Sequence, residues 1–222
     1  MDRLHAARGW RLEAASATRS WVSRVVTTRP KAPERLFRAT WLILPVVLGG
    51  LGHVAALKTN ALHFLAAPID AGAEWKGRPL FGANKTWRGF AVMTGFTAMA
   101  SAMQATVASR CGWTIALQVH QRARINPWAA GAICGLSYCL GELPNSFIKR
   151  RLRIRPGARA FKVAWLQYLI DQGDSVAGCL VPLRLIYRCP DEELLMAAAL
   201  GMAVHIGIDQ LIYVIGVKSR RS

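Results

Sequence analysis

The sequence predicts an all-α protein, a polytopic membrane helical bundle with about five transmembrane helices. Three observations carry that expectation. The 222 residues are 53% hydrophobic yet hold a formal charge of +17, a pairing that soluble domains of this length rarely show. The apolar residues are gathered into blocks long enough to cross ~30 Å of hydrocarbon, with the charges between them. One of those blocks also contains two acids, Asp171 and Asp174.

In chain order the blocks are Leu36–Leu57, Gly89–Ser109, Pro127–Leu143, Tyr168–Ile186 and Leu194–Val217. The third and fourth are the shortest and most polar. Residues 1–35 form a separate basic tail, read either as an unstructured segment or as an amphipathic surface helix anchored by Trp10 and Trp21. Residues 36–218 form the transmembrane domain. Lys and Arg set its orientation. The first loop (Lys58, Lys76, Arg78, Lys85, Arg88), the third (Lys149 to Lys162) and the C-terminus (Lys218, Arg220, Arg221) are the rich ones, so they share the cytoplasmic side of an inner cell membrane. Five spans then leave the basic tail outside, against the rule. The cysteines contain no Cys-x-x-Cys pair and read as small packing residues. Gly131-x-x-x-Gly135 is a close-packing spacing, and such small-residue faces permit a homodimer.

The charges inside and beside the blocks point to chemistry. A carboxylate at the membrane centre costs roughly 2.5–3.5 kcal/mol on insertion scales, so it faces a partner or a cavity. Asp171 and Asp174 share one helical face, and paired carboxylates suit a hard divalent cation such as Mg²⁺. Glu142, at the end of the third block, is a third acid that Pro144 places beside a kink or break. Ser146, Lys149, Arg150 and Arg151 follow it at near-helical spacing, a cluster suited to phosphate. Before the second block, Gly82-Ala83-Asn84-Lys85-Thr86-Trp87-Arg88-Gly89 enters a helix N-terminus, whose free N–H groups favour anions. That loop reads equally well as a solvated, positively charged flank. His205-x-x-x-Asp209 in the last block reads as a buried hydrogen-bonded pair. Anionic headgroups and a polyphosphate account for the basic balance, and no nucleic acid is implied. A small transporter would also use intramembrane acids, but here acids and bases collect on one side.

Together these motifs resemble the CDP-archaeol synthase family, membrane cytidylyltransferases related to the phosphatidate cytidylyltransferases. The likeness spans Pro79 to Lys218 and is carried by Gly82 to Gly89, Asn145-Ser146-Phe147-Ile148-Lys149-Arg150-Arg151-Leu152 and Asp171-Gln172-Gly173-Asp174. Position 209, Asp here, is Asn in the family's last helix. The resemblance implies a transfer of cytidylyl from CTP to a membrane lipid phosphate, giving a CDP-activated lipid and pyrophosphate. It implies Mg²⁺ on Asp171 and Asp174 with Glu142 as a third acid, Lys149 and Arg150 as catalytic cations, and Asn84, Lys85, Arg88, Ser146 and Arg151 on the substrates. CTP would then enter cytoplasmic active-site loops from water while the lipid chains stay in the bilayer.

Overall fold

A computed structural model describes residues 30–155 and 164–214. The expectations for the basic tail up to residue 29, for Pro156, Gly157, Arg159 and Lys162, and for the end of the chain from residue 215 lie outside those residues. The chain divides into two compact units, Met1–Glu34 and Arg35–Ser222. The second holds the bundle.

Six helices form among the described residues: α1 Ala32–Lys58, α2 Trp87–Arg110, α3 Thr114–Arg122, α4 Pro127–Arg151, α5 Ala164–Leu185 and α6 Asp191–Val214. The all-helical expectation is met, and the five long helices fall on the five apolar blocks. Three of them, α1, α2 and Asp191–Leu211 of α6, are long and apolar enough to cross a membrane. Helices α4 and α5 match them in length, at 25 and 22 residues, but carry the charged clusters.

Local chemistry explains where the helices start. The Thr86 hydroxyl accepts from Gly89 N at 3.3 Å and caps α2. Asn126 Oδ1 accepts from Ala129 N at 2.8 Å, and Pro127 fills the first position of α4, where no N–H is needed. Of the kink or break expected at Pro144, the break does not occur, because α4 runs through it to Arg151. The helix therefore extends two turns past the apolar block, and Glu142, Asn145 and Lys149 lie on one continuous element.

Small residues set the packing. A side chain at Gly131 would meet the α2 backbone at Thr97 and Ala98, and one at Gly135 would meet Met93 and Thr94. The Gly131/Gly135 stripe is thus used for packing within the chain. Further along α4, Gly141 crosses α5 at Gly178, where an added Cβ would lie 2.9 Å from the opposite Cα. That close approach sets Glu142 and Asn145 of α4 beside Asp171 and Asp174 of α5. The cysteines are free, and Cys134, Cys139 and Cys189 are buried as packing residues.

At the other end of the bundle, the unexpected short helix α3 folds under α1. Arg38 donates to Gln118 Oε1 at 2.8 Å and Trp41 Nε1 to His120 Nε2 at 3.2 Å. Arg122 holds the buried carboxylate of Glu193 through two bonds of 2.5 and 3.2 Å.

Candidate active site

Two segments far apart in sequence build the site. The first is the loop between α1 and α2, which is folded around Asp70. Its carboxylate accepts from Gly72 N at 3.2 Å and from Phe81 N and Gly82 N at 3.0 Å each. Desolvation pushes the Asp70 pKa upward, but these backbone bonds outweigh it and hold the group below the usual carboxylate range. Antiparallel bridges Pro68↔Thr86 and Glu74↔Pro79 close the loop. Sequence reasoning passed over Asp70. Its signal was the Asp-Ala-Gly run at residues 70–72, a pattern in which Asp bonds the backbone two residues on.

The second segment is the last two turns of α4. Arg151 reaches into the loop and donates to Trp75 O at 2.6 Å, Arg78 O at 3.0 Å and Pro79 O, while Arg78 donates back to Arg151 O. The guanidinium also lies over the Phe147 ring, 4.7 Å from its centroid. These bonds bind loop to helix and deliver Lys85, whose ammonium forms an ion pair with Glu142.

The acids meet α4 directly. Asn145 Nδ2 donates to Asp171 Oδ1 and to Asp174 Oδ2, both at 2.7 Å. Lys149 Nζ pairs with Asp171 at 2.6 Å, and Ser175 N donates to Asp174 Oδ1 at 2.6 Å. Both the acids and Lys149 are partly exposed, so solvent and ligand reach them. Arg150, next along, is only 8% exposed, and its Nε and Nη1 have no partner among the described residues. A buried cation left unpaired is costly, and an anionic ligand would remove that cost.

The structure thus brings together Asp171, Asp174, Glu142, Lys149 and Lys85, with Asn145 as an added member that bridges both aspartates. Ser146 is buried next to Asn145. The others expected at the substrate make contacts with the loop or lie on it. Arg88 donates to Asn60 Oδ1 at 3.1 Å and ties down the start of the loop. Arg151 spends three bonds on backbone carbonyls, and Asn84 lies exposed on the turn. The Glu142 carboxylate, expected as a third acid, is engaged by Lys85. The two aspartates alone still fit Mg²⁺. Their oxygens converge on one donor, Asn145 Nδ2, and Mg²⁺ commonly takes one or two carboxylates plus phosphate oxygens.

In the last helix, His205 Nδ1 meets Gln172 Oε1 at 2.6 Å and His205 Nε2 meets Tyr138 OH at 2.8 Å. This chain ties α4, α5 and α6 together behind the aspartates.

The profile of the CarS-like CDP-archaeol synthases matches residues 34–221. The CDP-archaeol synthase of Halobacterium salinarum is 31% identical over 81% of this chain and 93% of its own length. That of Thermofilum pendens is 29% identical over 84% and 81%, and that of Pyrococcus furiosus 28% over 83% and 96%. No solved structure matches. The matched stretch contains both the Asp70 loop and the α4–α5 crossing, and the chain belongs to the CDP-archaeol synthase family, enzymes of the CTP-dependent cytidylyltransferase class.

Proposed function

We propose that this chain transfers cytidylyl from CTP to the phosphate of an archaeol-type lipid, a glycerol with ether-linked isoprenoid chains, at the cytoplasmic face of the cell membrane. The relatives' names supply the lipid class. The observation that supports the reaction is the convergence of Asp171, Asp174, Asn145 and Lys149 next to the buried Arg150, whose Nε and Nη1 have no partner among the described residues.

An oxygen of the lipid phosphate attacks the α-phosphorus of CTP. The bond from that phosphorus to the β-phosphate bridging oxygen breaks, and pyrophosphate leaves. The nucleophile is already an anion at neutral pH, so no strong base is required. The protein must supply in-line placement and neutralise charge on three groups of phosphate oxygens. Asp171 and Asp174 would hold Mg²⁺, which would supply positive charge to offset that of the phosphates. Lys149 and Arg150 face the triphosphate from α4, and Lys85 closes the cleft from the loop. Asn145 spaces the two aspartates. Glu142 keeps Lys85 in place, and Arg151, Arg88 and Asp70 hold the loop that carries it.

Purified protein incubated with labelled CTP, Mg²⁺ and a panel of lipid phosphates tests the reading. The expected product is a CDP-lipid formed preferentially from the isoprenoid ether phosphate. Absence of any CDP-lipid would refute the reaction, and equal use of acyl-ester phosphates would refute the lipid class.

A further inference from the structure

The site described above is polar, yet a largely apolar cavity of about 240 Å³ lies in the bundle between α1 on one side and α4, α5 and α6 on the other. One face of α1 lines it from Leu42 through Val46, Gly50 and His53 to Leu57, roughly 22 Å at about 1.5 Å per residue. At its inner end the wall is hydrocarbon, with Leu183 of α5 and Ala197 of α6. Toward the site the wall turns polar. His53 reaches it there, and the same ring packs against Gly89 at the start of α2, within electrostatic reach of Glu142, Lys85 and Arg88. Tyr138 and His205 also line it. The cavity is therefore graded, from a polar end lined by His53, Tyr138 and His205 to an apolar interior.

We infer that this cavity binds one hydrocarbon chain of the lipid phosphate, and that the α1 face around Gly50 sets which chains are accepted. The inference rests on the proposed lipid-phosphate reaction. Two features select this occupant. A soluble ligand would gain little from an apolar wall set in a membrane bundle, whereas a chain entering from the bilayer matches it. The polar end also lies close to the site where that lipid's phosphate must react, since His53 is within electrostatic reach of Glu142 and Lys85 and His205 bonds Gln172, the neighbour of Asp171. Gly50 is the sensitive position. A Cβ built there meets nothing within 4 Å, so a larger side chain would project into open space without displacing a neighbouring helix.

The test compares two lipid phosphates, one with long isoprenoid ether chains and one with chains of a few carbons, on the full chain in detergent. Gly50→Phe should raise the KM for the long-chain substrate by about tenfold or more. It should leave the CTP KM and turnover of the short-chain substrate within about twofold of wild type. Gly50→Ala should behave as wild type. If Gly50→Phe affects both lipids alike, or neither, the inference is wrong. Should Gly50→Phe fail to purify folded, Val47→Phe on the same face gives the same decision by the same two substrates. Failure of the wild type to form any CDP-lipid would instead overturn the reaction itself.

Discussion

The two ends of the bundle both contain buried or half-buried charge, and they handle it in opposite ways. At the α3 end the buried acid has a fitted partner. Arg122 grips Glu193 with two bonds, and Glu193 is only 1% exposed. Burial alone would weaken the charge on Arg122, but its bonds to Glu193 raise its pKa above the ordinary arginine value. At the α4–α5 end the pairing is incomplete. One asparagine amide, one ammonium and the Ser175 N–H serve two aspartates, and the buried Arg150 has no partner for Nε and Nη1 among the described residues. A satisfied pair fastens helices, whereas a surplus of unpaired charge awaits a ligand. That difference separates framework from site more sharply than charge content does.

The strongest way to break the contrast is at the aspartates. Asp171→Asn and Asp174→Asn should each cut turnover by ~10³-fold or more, about 4 kcal/mol, while leaving insertion and melting temperature near wild type. Near-normal activity in both would make the pair structural, like its counterpart at the other end. Next in size is Glu193→Gln, which leaves a buried guanidinium with a poorer partner. It should destabilise the fold by about 3 kcal/mol, seen as a lower melting temperature, without changing the CTP KM of the folded fraction. Arg150→Ala should show the reverse pattern. We expect kcat/KM for CTP to fall roughly 10–100-fold, about 1.4–2.7 kcal/mol. Melting temperature should hold or rise, since an unpaired buried cation is removed. A drop in melting temperature with normal kinetics would place Arg150 with Arg122.

The smallest effect is a pH response at the α3 end. His120 accepts from Trp41 Nε1 only while its Nε2 is unprotonated, and desolvation lowers its pKa from the ordinary 6.5. Below that value the unfolded chain binds a proton that the folded chain resists. This contribution is therefore intact above pH 6.5 and is lost as pH falls toward the lower folded value. Melting curves of wild type should decline across that window, and those of His120→Gln should decline less. Parallel curves would remove His120 from the fastening.

Much of the fold was legible in order and length. The apolar blocks announced the five long helices because a membrane demands long runs of apolar residues whose backbone groups bond within the helix. Ends were less legible. Proline was read as a kink or break at residue 144, and α4 continues through it as a helix. Helix α3 was invisible because nine amphipathic residues between spans look like any polar loop.

By itself, the sequence determined the class of the molecule and the chemistry available to it. Hydropathy imposes the bundle, and carboxylates, lysines and arginines in apolar surroundings must find partners or ligands whatever the topology. Only the tertiary structure decided who meets whom. The Gly141–Gly178 crossing chose Asn145 and Lys149 as the neighbours of Asp171 and Asp174, and the fold around Asp70 sent Lys85 to Glu142. It also turned Arg88 and Arg151 into fastenings for the loop. The physical reason is range: burial preference is a property of each residue and its near neighbours, whereas pairing depends on the close approach of segments dozens of residues apart.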